Sequence, residues 1–225
     1  MRLRVCSPLI LILLTVSLPA QASPWYPIDT GRFWVYSSPG GGASSATVDA
    51  PELFAGSIVQ PLHWDSGTRE CFSQDGAGRV FHHGLTGAPD GSYVVNDPPF
   101  LRMDSELTPG HEWEAVYEVI HYTADDVEVM RQQGRMTYSV VGVGPVEVPA
   151  GIFHAAEVLV TRELETLPLY TFREWYAVGV GWIRRTEENG TSVLFELESY
   201  GPVSVPTETT TWGRIKAQYK GRHAP

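Results

Sequence analysis

Pairs of glutamates two positions apart are the side chains in this sequence that could carry out acid-base chemistry. Glu112 lies beside Glu114 in this spacing, and Glu196 lies beside Glu198. Two carboxyl groups that face each other across a groove at about 5 to 9 Å could hydrolyse a glycosidic bond. Residues i and i+2 of a strand share one face, however, and an acidic protein places its surplus charge on its surface. We therefore predict a solvated surface for both pairs, assign no catalytic residue, and keep glycoside hydrolysis as an alternative function.

A second chemical possibility is a metal site at the adjacent histidines His82 and His83. Imidazoles bind zinc or copper, and His63 or Glu70 from a neighbouring strand could complete the ligand set. Adjacent residues of a strand point to opposite faces, so these two imidazoles are poorly placed to share one ion. The sequence also lacks the motifs Gly-x-Ser-x-Gly, Gly-x-x-x-x-Gly-Lys-Ser/Thr and His-Glu-x-x-His. We predict neither a metal nor a cofactor, and an enzyme is the less favoured class.

The aromatic residues, among them seven Trp and ten Tyr, favour a binding role. Exposed aromatic rings stack on sugars, and a curved sheet can enclose an apolar ligand. Trp34, Trp113 and Trp175 belong to turn-and-strand motifs in which a large ring anchors the core, so we place these three inside. Four less constrained aromatics remain as candidate ligand-binding residues: Trp64, Tyr93, Phe100 and Trp182.

Charge and composition restrict the partners and the fold class. The 225 residues include 16 Lys and Arg against 26 Asp and Glu, and the resulting net charge of -10 repels nucleic acid and anionic membrane surfaces. A hydrophobic content of 43% with 19% charged residues is typical of a globular chain with a sizeable core. The 22 Gly, 17 Pro and 11% aromatic residues favour a turn-rich β protein over a helical bundle. We expect no nucleic-acid partner.

The first 22 residues have the pattern of an export signal. Arg2 and Arg4 precede an apolar run at 9–16, and Ala20 and Ala22 are the small residues that signal peptidase requires. We predict cleavage before Ser23. The apolar run is shorter than the roughly 20 residues of a membrane span. The predicted mature chain therefore has no membrane span, is periplasmic or extracellular, and has a charge of -12.

Short segments bounded by Gly, Pro, Asp or Asn predict an all-β domain over residues 23–200. The segment 37–46, rich in Gly and Ser, is interpreted as a loop. Residues 201–225 are predicted to form a linker and a short C-terminal amphipathic helix with Trp212, Ile215 and Tyr219 on one face. The predicted strands after the first, which ends at Tyr36, are 56–64, 69–73, 78–82, 113–121, 127–129, 135–143, 153–163, 171–176, 180–187 and 192–200.

One turn-and-strand pattern occurs twice. The segment 28–34 contains Gly31 and Trp34, and the segment 107–113 contains Gly110 and Trp113 at the same offsets. Glycine permits a turn with positive φ, and a tryptophan three residues later enters the next strand and anchors it in the core. The repetition indicates two similar units within one β domain.

Four pieces of the sequence resemble, in order, a family of uncharacterised exported bacterial proteins. The family begins with Pro-Leu-x-x-Gly-x-x-Trp-x-Tyr, which residues 27–36 resemble. The second piece is the segment 107–113. A Val-Pro-Ala-Gly-x-Phe corner is matched at 148–153 with Ile152 where the family has Thr. A Trp-Tyr-Ala-x-Gly-Val-Gly motif is matched at 175–181 with Val178 where the family has Pro. The resemblance implies a strongly curved antiparallel sheet or partial barrel, and it implies no known reaction or catalytic residue.

The last two motifs also have a structural explanation. Pro149 fixes φ, Gly151 frees it, and Phe153 enters the next strand, which is the chemistry of a β corner. Gly179 and Gly181 suit a bulge or a close backbone approach. We therefore interpret these residues, together with Trp175, as structural.

The sequence thus predicts a non-enzymatic exported protein. The favoured hypothesis is that a concave sheet face binds an apolar small molecule or an envelope-derived ligand, or that the domain supports an envelope assembly. One alternative is an extracellular polysaccharide-binding protein or glycoside hydrolase. Another is a purely structural interaction module.

Overall fold

Strands make up the regular structure of residues 25–202, which confirms the all-β prediction. The computed structural model describes residues 25–202. The predicted signal peptide and the predicted C-terminal helix lie outside the described residues. The strands are β1 (Arg32–Ser37), β2 (Ala43–Val48), β3 (Glu52–Phe54), β4 (Ser57–Trp64), β5 (Arg69–Gln74), β6 (Val80–Thr86), β7 (Tyr93–Met103), β8 (Glu112–Tyr122), β9 (Glu128–Val148), β10 (Gly151–Leu164), β11 (Leu167–Ala177), β12 (Gly181–Glu187) and β13 (Val193–Pro202).

These strands form an antiparallel sheet that closes on itself. From β3 to β13 each strand pairs with the next one along the chain, β13 pairs with β1, and β1 pairs with β2. β2 then pairs with β4, with Ala46 opposite Trp64 and Val48 opposite Leu62. The result is a closed twelve-stranded barrel, with β3 as an extra strand beside β4.

A single hydrophobic cluster fills the inside of the barrel. Alternate residues of each strand point inward, and large rings meet across the interior. Trp64 of β4 and Trp182 of β12, for example, have ring centroids 6.3 Å apart. A space inside the barrel between Tyr36, Trp64 and Trp182 has a volume of about 20 Å³, roughly enough for one water molecule. The concave face predicted to hold a ligand is therefore the packed inner wall of a closed barrel.

The turns separate into two sets because neighbouring strands are antiparallel. The turns after β1, β4, β6, β8, β10 and β12 lie at one end of the barrel, which we call the hairpin end. The segment before β1 enters from the opposite end. There the ring of Tyr26 lies 5.4 Å from that of Phe72 and 6.1 Å from that of Tyr176. Side chains of this N-terminal segment therefore complete the packing of that end.

The two similar sequence segments adopt the same turn. Gly31 and Gly110 have φ values of 82° and 86°, a region that glycine adopts readily and other residues do not. The Gly31 N–H donates to the carbonyl of Val48, and the Gly110 N–H donates to the carbonyl of Val140, both at 2.8 Å. Each turn is thereby fixed to the adjacent strand, and β1 and β8 begin directly after it.

At the end of the barrel opposite the hairpin end, the β9–β10 pair extends past its neighbouring strands and folds back to β13. At its tip, the Ala150 N–H donates to the carbonyl of Leu197 at 2.9 Å. The ring of Phe153 meets that of Tyr200 edge-on, with centroids 5.9 Å apart. Gly151, with a φ of 133°, follows the turn. The corner motif thus lies in the turn that attaches this long hairpin to β13.

Four strands differ from the sequence interpretation, and one of them, the short β3, lies outside every predicted strand. The segment interpreted as a loop supplies β2, whose small polar residues have low strand propensity but pair with β1 on one side and β4 on the other. β7 is absent from the predicted strands because Pro98 and Pro99 cannot donate hydrogen bonds to a neighbouring strand. β9 joins the predicted segments 127–129 and 135–143 across Gly134 and continues to Val148.

A smaller cluster lies outside the main core, next to β3. Phe54, Val59 and Cys71 form it, with Tyr93 and Val95 packed against them. Cys71 is a buried free cysteine, and burial raises its pKa to about 12. Cys71 therefore packs as a small buried hydrophobic residue, and its thiol is protonated at neutral pH.

Candidate functional site

Glu174 is a fully buried carboxylate inside the barrel, held by two arginines and a tyrosine. Arg102 Nη2 of β7 donates to Glu174 Oε1 at 3.0 Å and to Oε2 at 2.9 Å. Arg185 Nε of β12 donates to Oε1 at 3.1 Å. The Tyr176 hydroxyl donates to Oε2 at 2.5 Å. A buried charge is tolerated when it is paired and hydrogen-bonded in this way.

These contacts fix the charge of Glu174. Burial alone would raise its pKa, but the guanidiniums of Arg102 and Arg185 and the hydrogen bond from Tyr176 together lower it to about 2. The carboxylate is therefore ionised at neutral pH and is a poor general acid or base.

Arg102 lies among three tyrosine rings. Its Cζ is 5.9 Å from the ring centroid of Tyr26, 6.0 Å from that of Tyr138 and 5.9 Å from that of Tyr176. Burial raises the pKa of all three phenols, so each is neutral at physiological pH. Among residues 25–202, Arg102 Nη1 and the Tyr138 hydroxyl are buried polar atoms with no hydrogen-bond partner.

Glu70 is a second inward carboxylate, closer to the hairpin end. It accepts a hydrogen bond from Trp64 Nε1 at 2.8 Å, and His82 Nε2 lies 3.8 Å from its other oxygen. Burial raises the pKa of Glu70, although 28% of its side chain stays exposed. Burial, and then the charge of Arg102, lowers the pKa of His82 to about 3, so this imidazole is neutral.

A row of stacked cations and rings lines the inner wall from this cluster to the hairpin end. The Cζ atom of Arg185 lies 4.6 Å from the ring centroid of Trp182 and 4.7 Å from that of Phe172. Phe172 and Tyr170 have ring centroids 5.3 Å apart. The Cζ atom of Arg162 lies 5.5 Å from the ring centroid of Tyr170. We call these five residues the inner-wall row.

Arg162 differs from every other arginine in residues 25–202. The other nine each have a nitrogen within 4.0 Å of a carboxylate oxygen. In that range Arg162 has no such partner, and there is no lysine. Its register opposite Met136, a core residue, and Tyr170 places it on the inner face, where it is half-buried. An arginine without a partner at the end of the barrel is a feature that packing alone does not explain.

The structure brings together two of the four predicted ligand-binding aromatics. Trp64 and Trp182 have ring centroids 6.3 Å apart and border the small internal space. Phe100 is buried and stacks on Tyr117 with centroids 4.4 Å apart. Trp182 is largely buried, whereas Trp64 is half-buried.

Tyr93 lies apart from the other three, at the smaller cluster. Its ring stacks on that of Tyr122 with centroids 5.0 Å apart, and its hydroxyl donates to Asp126 at 3.0 Å. An open groove of about 620 Å³ lies beside these rings. The inner-wall row and this groove are therefore two separate candidate sites.

The motif glycines of the β11–β12 turn lie against the N-terminal segment. Trp34 Nε1 donates to the carbonyl of Val180 at 2.7 Å. Gly179 and Gly181 have φ values of 73° and 97°, and a Cβ at 181 would lie 3.3 Å from Pro27 Cδ. The turn thus accommodates the segment that closes the N-terminal end.

The other motif residues occupy structural positions. Trp113 and Trp175 are each 9% exposed, and Arg184 lies over the Trp175 ring with its Cζ 5.8 Å from the centroid. The remaining ones lie in turns or at strand starts: Gly31, Gly110, Pro149, Gly151 and Phe153.

The histidine pair and the glutamate pairs are not assembled into a site. His83 Nε2 lies 2.7 Å from Ser73 Oγ, whereas His82 packs against Phe72, with ring centroids 4.9 Å apart. Glu112 accepts a hydrogen bond from Ser139, and Glu196 accepts one from Arg184. Residues 25–202 contain no group of three or more His, Cys, Asp or Glu arranged to hold a metal ion.

Sequence reasoning missed the charged residues of the interior. Their signal is alternation: Glu174 stands between Phe172 and Tyr176, and Arg102 stands two positions after Phe100. A period of two places these charges on the same face as buried rings. Arg162, two positions after buried Val160, has the same pattern.

A scan against protein-family models gave no match, and a search of curated proteins gave none either. Two solved structures are similar. One is from Bacteroides fragilis NCTC 9343 and is named as an exported protein with a YmcC-like fold; it is 14% identical, with a TM-score of 0.49. The other, from Parabacteroides distasonis ATCC 8503, is named as a lipoprotein; it is 14% identical, with a TM-score of 0.38. Each alignment covers 80% of this chain and 100% of that chain.

Within residues 25–202, no helix has the length and apolar character needed to cross a membrane.

Proposed function

We propose that this chain is an exported, non-enzymatic domain that binds an envelope-derived ligand at the hairpin end of its barrel. The observation that carries the proposal is the inner-wall row, which extends from the buried rings of Trp182 and Phe172 to the half-buried Tyr170 and Arg162 at that end. The interior beneath it is packed, with a space of about 20 Å³ between Trp64 and Trp182. A ligand is therefore expected to contact the end of the barrel and not to enter it.

The charge states of the interior support a binding role over catalysis. Glu174 stays ionised because its pKa is lowered to about 2, and His82 stays neutral because its pKa is lowered to about 3. Neither group has the pKa near neutrality that acid-base catalysis requires. The outer glutamates Glu112 and Glu196 are engaged with neighbouring side chains.

The same features disfavour a carrier with an apolar ligand inside the barrel. Two guanidiniums and two carboxylates occupy the interior, in which an apolar ligand would have to displace charged groups or buried rings. An envelope component with polar groups suits this end better. A structural interaction module is the remaining alternative, because such a module needs no small ligand.

Export is tested by expressing the full chain with a C-terminal tag and sequencing the N-terminus of the product in the periplasmic and medium fractions. We expect a product that begins at Ser23 in one of these fractions. An uncleaved product that stays in the cytoplasm would refute the export part of the proposal.

Binding is tested on the chain 23–225 purified from the envelope fraction. Native mass spectrometry is expected to detect a bound small molecule that denaturation releases. The uncharged dye Nile red serves as an apolar probe, and we expect weak fluorescence with the folded protein. A ligand-free protein with strong dye binding would contradict the proposal, and release of reducing ends from oligosaccharides would indicate a hydrolase.

A further inference from the structure

Arg162 has no counter-charge in residues 25–202, in a protein with a net charge of -10. A half-buried guanidinium loses part of its hydration, and proteins normally offset this loss with a carboxylate. The other nine arginines in that range follow this rule. The exception therefore marks a place where a counter-charge from outside the described chain would be stabilising.

Two phenols lie beside this guanidinium. Tyr170 lies under it at 5.5 Å, and the charge of Arg162 lowers the pKa of Tyr117 against the larger, opposite effect of burial. Neither hydroxyl is hydrogen-bonded to any residue in 25–202. A guanidinium offers N–H donors only, and a phenol offers one O–H donor. This set of donors matches the oxygens of an anion.

The backbone is adapted to the position of Tyr117. A Cβ at Gly134 of β9 would lie 2.8 Å from Tyr117 Cζ and 3.1 Å from Leu164 Cδ2. The absence of a side chain at 134 therefore allows the Tyr117 ring to lie next to Leu164, two residues after Arg162 on β10. Tyr117 pairs with Gly134 and Arg162 pairs with Met136, so both residues lie on the inner face, on the two strands that flank β9.

The local charge favours an anion as well. Within residues 25–202, the inner wall has three guanidiniums, those of Arg102, Arg185 and Arg162, and two carboxylates, those of Glu174 and Glu70. One positive charge on this wall is therefore left without a carboxylate. The half-buried ring of Tyr170, which lies against the buried ring of Phe172, offers an apolar surface for the body of a ligand.

From this geometry we infer that the hairpin end of the barrel binds an anionic ligand, whose carboxylate or phosphate group is held by Arg162 while its body packs on Tyr170. The inference deepens the proposed function by naming the charge of the ligand. Acidic sugars and phosphate-bearing headgroups share this chemistry.

The test uses the chain 23–225 with ¹⁵N label and follows the side-chain Nε–Hε signals of its arginines by NMR. The probes are D-glucuronate for a carboxylate, inorganic phosphate for a phosphate, and D-glucose as the neutral analogue of glucuronate. Arg162→Gln identifies the Arg162 signal by its disappearance. We expect a saturable shift of that signal with one or both anions and none with glucose.

Variants separate this site from general charge attraction. The affinities of the variants are compared through the backbone amide signals of β10 and β11, which every variant retains. Arg162→Gln should weaken anion binding about tenfold or more, the size of a charged hydrogen bond, whereas Arg162→Lys should retain most of it. Arg135→Gln is the matched control, because Arg135 lies on the neighbouring strand on the outer face with 53% of its side chain exposed. It should bind as the wild type does. Because Arg162 has no ion pair to lose, the Tm of Arg162→Gln should stay within about 2 °C of wild type.

Each outcome decides the inference. Binding of one anion identifies the class, and binding of both indicates a general anion site. Equal binding of glucose, equal affinity in Arg162→Gln, or no saturable shift would overturn it. A negative result in this NMR test would not change the N-terminal sequencing or the native mass spectrum. The proposed function is therefore tested separately from the anion site.

Discussion

Replacing Glu174 with Gln should destabilise the protein more than any other single charge removal in the barrel. Glu174 is fully buried and neutralises part of the charge of Arg102 and Arg185. The amide keeps the shape but leaves two guanidiniums facing each other without a counter-charge. Removing one partner of a buried ion pair costs about 3 to 5 kcal/mol.

The lowered pKa of Glu174 gives a similar magnitude for the stability that its ionised form contributes. A pKa lowered from 4.5 to about 2 corresponds to about 3 kcal/mol of stability for the ionised form. This contribution is fully present above pH 4.5, the ordinary pKa of the carboxyl group, and is lost as pH falls through about 2. The difference between the wild type and Glu174→Gln should therefore narrow as the pH is lowered below about 4.5.

The assay is urea unfolding of the chain 23–225, followed by tryptophan fluorescence at several pH values. Glu196→Gln is the matched control, because Glu196 also pairs with an arginine, at 2.8 Å, but on the surface with 25% of its side chain exposed. We expect a loss of about 1 kcal/mol or less for the control. A free energy of unfolding for Glu174→Gln within about 1 kcal/mol of wild type at pH 7 would refute the account of the interior.

Two further substitutions test neighbouring parts of the structure. Glu70→Gln should leave the free energy of unfolding unchanged or raise it by up to about 1 kcal/mol at pH 7, because the raised pKa of Glu70 shows that folding disfavours its ionised form. This gain should disappear below the pKa that Glu70 has in the unfolded chain. A loss above about 1 kcal/mol in urea unfolding would contradict the prediction. Gly134→Ala should cost about 1 to 3 kcal/mol because its Cβ would meet Tyr117 at 2.8 Å. Gly142→Ala on the same strand has no atom within 4 Å and should cost little; equal losses in both variants would show that Tyr117 is not the cause.

The sequence predicts the class of this fold well because turn chemistry is local. Gly31 and Gly110 adopt the positive φ values that their repeated context indicates. β2 and β7 escape prediction because their pairing partners, and not their own residues, make them strands. Closure of the barrel through β2 and β4 is likewise a long-range pairing that no local pattern encodes.

The candidate site is harder to predict than the fold. A charged residue in a strand usually indicates the solvent face, and Glu174 and Arg102 break this rule because they neutralise each other across β11 and β7. Their sequence separation of 72 residues hides that partnership. The absence of a partner for Arg162 is visible only once the partners of the other arginines are known. The aromatic content indicates ligand binding in general. It does not show that Trp64 borders the barrel interior whereas Tyr93 lies at the smaller cluster outside it.

The most direct test of the account is a crystal structure of the chain 23–225 grown with D-glucuronate or inorganic phosphate. We predict the anion within hydrogen-bond distance of the Arg162 guanidinium, with Tyr138 and Tyr176 still packed in the closed interior. An anion bound only beside Tyr93, or a ligand inside the barrel in place of those rings, would contradict it.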